Sequence, residues 1–162
     1  MKYRCKYTRL EPIGEVVPNP RNPNTHPEEQ VALLAKIIAY QGWRLPIVIS
    51  KRSGFVVRGQ GRLLAAQCLG LKKVPVEVQA YDSDEQERAD LIADNRIAEL
   101  AEMDRGTLKD VLAELDTGEL DLDVTGFDEY ALARLMSEIH ADDDEGGDTG
   151  GESVCPHCGG AL

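Results

Sequence analysis

Apolar positions first take up a helical spacing at Val31, Leu34, Ile37 and Ile38, directly after the proline-rich run Pro18-Asn19-Pro20-Arg21-Asn22-Pro23-Asn24. That spacing predicts a helix over residues 27–40, with Thr25 and Glu28 placed as a capping box, Pro27 in the first turn and Gly42 as terminator. Each proline of the preceding run restricts its neighbour, so the run is a loop or lid, and Thr8-Arg9-Leu10-Glu11 before it reads as a short strand. Pro46-Ile47-Val48-Ile49-Ser50 and Phe55-Val56-Val57-Arg58 flank Lys51-Arg52-Ser53-Gly54 as a hairpin with a four-residue turn. A short helix follows over 61–69, ended by Gly70, and then Val74-Pro75-Val76-Glu77-Val78-Gln79 alternates as a third strand whose proline suits a strand start or an edge. Ser83 and Gln86 form a second capping box for a helix running through Leu91 and Ile92 toward Asp94-Asn95-Arg96, and residues 108–115 and 128–139 read as two more amphipathic helices. Strands come first and helices dominate after residue 83, which defines an α+β chain: a small mixed sheet with packed helices and a helical C-terminal half.

The candidate chemistry lies where the hairpin hands over to the short helix, at Arg58-Gly59-Gln60-Gly61-Arg62. Glycines at 59 and 61 permit a sharp turn and close approach of a ligand to the main chain. The first amides of a helix lack internal partners and carry the positive end of its dipole, and Arg62 adds a planar cationic fork suited to phosphate or carboxylate. A strand–glycine–helix corner with a solvated first-turn arginine is the competing reading, and spacing alone leaves both open.

Net charge changes this picture less than its value of −11 suggests. Seven of the 29 acids fall within residues 138–152, leaving 22 acids against 18 bases elsewhere. The body is therefore mildly acidic, short of the basic footprint of a self-sufficient DNA binder, and any DNA contact is local or assisted by a partner. No apolar run reaches the roughly 18 residues of a membrane span and no signal-peptide core follows Met1, so the expectation is a cytoplasmic chain without a membrane partner. Four cysteines in such a chain do not suggest a disulfide framework, and Cys68 reads as a small core residue.

Taken in order, the Pro-Asn-Pro-Arg-Asn-Pro loop, the capped helix, Pro46-Ile47-Val48, Gly59-Gln60-Gly61-Arg62-Leu63-Leu64-Ala65-Ala66, Val74-Pro75-Val76 and Ala93-Asp94-Asn95-Arg96-Ile97-Ala98-Glu99-Leu100 resemble the N-terminal domain of the ParB/sulfiredoxin superfamily. The resemblance spans residues 8–140 and is to the short ParB-like domains of phages and of the neighbourhood of DNA methyltransferases. It implies a pocket for nucleotide phosphate, with CTP and Mg²⁺ as the cofactors of partition-type relatives. Carried over by position, Gly59, Gly61 and Arg62 would cradle phosphates together with Gln60, Arg21 would cap them, and Asp94 and Asn95 would offer oxygens to Mg²⁺, Asp94 being the catalytic candidate. Partition proteins have Gly-Glu-Arg-Arg where this chain has Gly59-Gln60-Gly61-Arg62, and an arginine where it has Ala98, so contacts of the kind that recognise triphosphate are missing. Gln60 stands where sulfiredoxins place a reactive cysteine, and sulfinate reduction is not expected. Gln60 also replaces a histidine frequent in ParB-like relatives, and an amide cannot shuttle protons near neutral pH. The residues after Asp104 look too few for the helix-turn-helix domain that follows in partition proteins.

The expected organisation is a core over 1–103, a helical extension over 104–140, a disordered acidic linker over 141–153 and a half zinc knuckle over 154–162. Cys155 and Cys158 supply two thiolates of a zinc site that needs four ligands, and a vestigial ribbon explains them equally. Trp43 reads as core or rim packing or as a base-stacking platform, and His26 has no evident partner. Three roles stay open. One is a module binding nucleotide or DNA phosphate in modification, partition or transcription, beside a methyltransferase or another phage DNA-processing protein and compatible with a homodimer. The second is a weak metal-dependent nuclease, CTPase or nucleotidase, and the third is a non-catalytic adaptor.

Overall fold

The computed structural model describes residues 1–127 and 130–135. Strand β1 (Arg9–Pro12) leads through a 3₁₀ turn at Ile13–Glu15 into the proline-rich loop and helix α1 (Glu28–Gln41). Strands β2 (Ile47–Ser50) and β3 (Val56–Arg58) form the hairpin, followed by α2 (Gln60–Cys68), β4 (Lys73–Gln79), α3 (Asp84–Glu99), α4 (Arg105–Leu115) and a 3₁₀ turn at Leu122–Thr125.

The sheet has the order β1-β4-β2-β3, with β2 and β4 parallel and the outer pairs antiparallel. Because β2 is an inner strand with helices over both faces, its run Ile47-Val48-Ile49-Ser50 is buried throughout. Alternate residues serve opposite layers. Ile47, Ile49, Val56, Val74 and Val76 join Ala35 and Ile38 of α1 and Leu63, Ala65 and Ala66 of α2 in the main core, which also holds Trp43 at 0% exposure. Val48 and Val57 meet Leu91 of α3 on the other side. The tryptophan is thus core and cannot stack on a base.

Three expectations change. The helix at 28–41 begins one residue later than predicted, and its N-cap is Pro27, which makes no side-chain capping bond; Thr25 lies two residues upstream of that cap. Glu28 and Glu29 instead meet the positive end of the helix. Strand β4 is interior, with Pro75 opposite Leu10 of β1, so the sheet forgoes one amide donor within an inner strand. Cys68 is exposed at the end of α2 and is not a core residue.

The second capping box forms in modified shape. Ser83 Oγ accepts from the Gln86 amide at 3.2 Å, while Gln86 Oε1 accepts from the amide of Asp82 at 2.7 Å. Residues 130–135 are helical, and the remainder of the predicted helix at 128–139, the acidic linker over 141–153 and the cysteine pair lie outside the described residues.

Candidate phosphate site

The corner between β3 and α2 is built as the glycine spacing requires. Gly59 has φ +90°, and a Cβ there would lie 2.8 Å from Arg62 Nη2. Only glycine provides both that backbone conformation and room for the Arg62 guanidinium, which folds back over the turn. Gly61 serves a different need: a Cβ there would stand 3.2 Å from the ring of His26, whose Nδ1 pairs with Gln30 Oε1 at 3.0 Å. The absence of a side chain at Gly61 thus leaves room for that histidine at the corner.

The first bond of α2 runs from the Leu63 amide to the Gly59 carbonyl at 3.1 Å. The amides of Gln60, Gly61 and Arg62 accordingly have no partner within the helix. The three residues that carry them line a cavity of about 230 Å³ bounded also by Asn22, His26, Arg58, Asp94 and Asn95. Three of the residues that line it carry a buried side-chain atom without a hydrogen-bond partner: Arg58 Nε, Gln60 Oε1 and Arg62 Nε. Burial pulls the Arg62 guanidinium below its ordinary pKa, with the charge of Asp94 opposing that shift. Among the described residues no carboxylate lies within ion-pair distance of Arg62.

Arg58 has the opposite environment. Its Nη2 pairs with Asp90 Oδ1 and its Nε stands 3.5 Å from Asp94 Oδ1, short of hydrogen-bond geometry. Tyr81 Oη donates to Asp90 Oδ2 at 2.8 Å. The hydrogen bond to Asp90 raises the Arg58 pKa, and burial followed by the same carboxylate pushes the Tyr81 phenol up. Arg58 ties α3 to β3 and holds Asp94 beside the cavity. Asn95, within α3 and not at its end, donates from Nδ2 to the Leu91 carbonyl at 3.1 Å, leaving Oδ1 as its acceptor.

Of the site residues expected from the sequence, Gly59, Gln60, Gly61, Arg62, Asp94 and Asn95 converge on this cavity. Arg21 does not: it lines a separate hollow with Arg52 and Arg88. The loop contributes Asn22 in its place, held by an Asx turn in which Asn22 Oδ1 accepts from the Asn24 amide at 3.1 Å. Asn22 and His26 carried no sequence signal for this role, because only the path of the loop over α2 brings them there.

The donor set does not suit a magnesium ion held by protein alone. Asp94 is the cavity's single carboxylate, it stands beside two guanidiniums, and among the described residues no group of three or more His, Cys, Asp or Glu could hold a metal. Among the described residues no cysteine lines this cavity. The cysteine that feels the charge of Arg62 is Cys5, and burial, the largest influence, pushes its thiol up.

The ParB N-terminal domain family matches residues 6–95, which span the four-stranded sheet and the corner at the N-terminus of α2; the chain belongs to that family. The ParB-methyltransferase HTH domain matches residues 106–156, which corrects the expectation that the residues after Asp104 are too few for a helix-turn-helix domain. Among curated proteins, the ParB-like nuclease domain-containing protein YnaK of Escherichia coli (strain K12) is 39% identical over 77 residues, covering 48% of this chain and 87% of YnaK. The C-terminally truncated chromosome-partitioning protein ParB from Caulobacter crescentus, complexed with CTP-gamma-S, superimposes with a TM-score of 0.62 at 26% identity, covering 82% of this chain and 78% of that one. The same protein complexed to the centromeric parS site gives a TM-score of 0.46 at 22% identity over 86% of this chain and 80% of that one. Among the described residues, no helix is long and apolar enough to cross a membrane.

Proposed function

We propose that this protein is a phosphate-binding module of DNA metabolism whose cavity at Gly59–Arg62 takes the phosphates of a nucleotide or of nucleic acid. One observation carries the reading: three residues whose amides have no helical partner line one cavity, and the buried Arg62 guanidinium among them has no carboxylate within ion-pair distance among the described residues. A bound phosphate oxygen would accept from these amides and from the Arg62 guanidinium, relieving the cost of burying an unpaired charge. CTP is the first nucleotide to test, because the Caulobacter protein at 26% identity is complexed with its thio analogue. The match of residues 106–156 to a ParB-methyltransferase HTH domain supports contact with DNA through that segment and service beside a DNA methyltransferase.

Titration of the full chain with CTP, ATP, GTP and single- and double-stranded DNA, with and without Mg²⁺, tests the proposal when repeated on Arg62→Ala and Asp94→Ala. The module reading expects binding that is lost in Arg62→Ala, persists without metal and yields no product. Metal-dependent turnover lost in Asp94→Ala would replace it with an enzyme, and binding of none of these ligands would leave an adaptor.

A further inference from the structure

The second hollow, of about 310 Å³, lies along the same side of α3 as the first. Arg21 of the proline-rich loop, Arg52 of the hairpin turn and Arg88 of α3 line it, together with the half-buried ring of Phe55. Its two acids are already engaged. Asp84 pairs with Arg52 and stands 3.8 Å from Arg88 Nη2, and Glu87, only 7% exposed, accepts from Ser50 Oγ and Ser53 Oγ at 2.6 Å each. The pairs to Asp84 are between half-exposed side chains and exchange readily, so an incoming phosphate can take over the arginines.

The two hollows share walls. The loop gives Arg21 to one and Asn22 to the other, and α3 gives Arg88 to one and Asp94 to the other. At 1.5 Å per residue the six-residue step from Arg88 to Asp94 spans roughly 9 Å, more than one phosphate covers. The geometry points to a second phosphate station at Arg21, Arg52 and Arg88, so that the groove along α3 takes a stretch of single-stranded nucleic acid, with one phosphate at Arg62, another at the arginine triad and a base against Phe55. Base stacking on an aromatic ring and a cationic track for the backbone are the two elements of sequence-tolerant single-strand binding. The inference rests on the proposed role of the Arg62 cavity and adds the polymer to it.

The test is calorimetric titration of the full chain with thymidine monophosphate and with oligothymidylates of increasing length, at several salt concentrations. Affinity should rise with length in the wild type. The double variant Arg52→Gln, Arg88→Gln should keep the monophosphate binding that depends on Arg62, lose on the order of tenfold for the longer oligomers and show a salt slope shallower by roughly 0.7 per phosphate contact removed. Arg62→Ala should weaken every ligand. A length-dependent gain that survives in the double variant, or its absence from a wild type that binds the monophosphate, overturns the second station and leaves the first intact. A wild type that binds oligomers but not the monophosphate, with the oligomer affinity lost in the double variant, would overturn the first and keep the second.

Discussion

Replacing Arg62 by Met separates the two descriptions of this residue, because they predict different outcomes for ligand binding. In the ligand-free protein the guanidinium is folded over Gly59 with Nε unbonded, and burial works against its charge. Methionine keeps an unbranched stem of similar reach and removes the charge, so thermal stability should hold or rise, as when other buried charges give way to apolar side chains. Phosphate binding should fall, since one charge-assisted hydrogen bond contributes about 1.5–3 kcal/mol, or roughly tenfold to a hundredfold in Kd. Differential scanning calorimetry and titration with CTP measure the two quantities on the same samples. A solvated first-turn arginine would give no change in either. A variant that melts earlier and binds as tightly as wild type would refute the reasoning, because it would make Arg62 a structural group.

Gly59→Ala forces a Cβ against Arg62 at a φ of +90°, so it should cost about 1–2 kcal/mol of stability and also weaken CTP binding by displacing the guanidinium, seen in denaturant melts and titration. Asp90→Asn breaks the pair that joins Arg58 to α3 and should lower stability by roughly 1–3 kcal/mol in urea unfolding, with larger hydrogen-exchange rates in α3 than in α1. Glu87→Ala strips the hydroxyls of Ser50 and Ser53 of their acceptor and should cost about 1–3 kcal/mol, by the same measurement. Tyr81 is a neutral acid whose pKa is raised in the fold, so its contribution is present below the unfolded value near pH 10 and is lost as pH climbs above it. Alkaline unfolding followed by circular dichroism should therefore be less steep in Tyr81→Phe.

The elements that periodicity and turn chemistry specify were legible in the sequence: the helix bearing Val31, Leu34 and Ile38, the hairpin around Lys51–Gly54, and the capped helix after Ser83. So was the corner at Gly59–Arg62, because a left-handed turn before a helix requires glycine whatever surrounds it. Sheet order was not legible. Pro75 argues locally for an edge, yet β1 adds outside β4 through long-range pairing that no local pattern encodes. The loop residues failed for a related reason: Arg21 and Asn22 are neighbours in sequence, and the turn built on Asn19 Oδ1, which accepts from the Arg21 amide at 2.9 Å, sends them to different hollows. Glu87 reads as an ordinary helix-surface acid, and only the packing of α3 over the hairpin buries it.

The central claim concerns main-chain amides, and it is tested most directly by following backbone amide resonances of the full chain while CTP is added. The account predicts that Gln60, Gly61 and Arg62 shift most, with Asn95 among the side-chain amides that respond. Saturable binding that leaves those three resonances unmoved would contradict it.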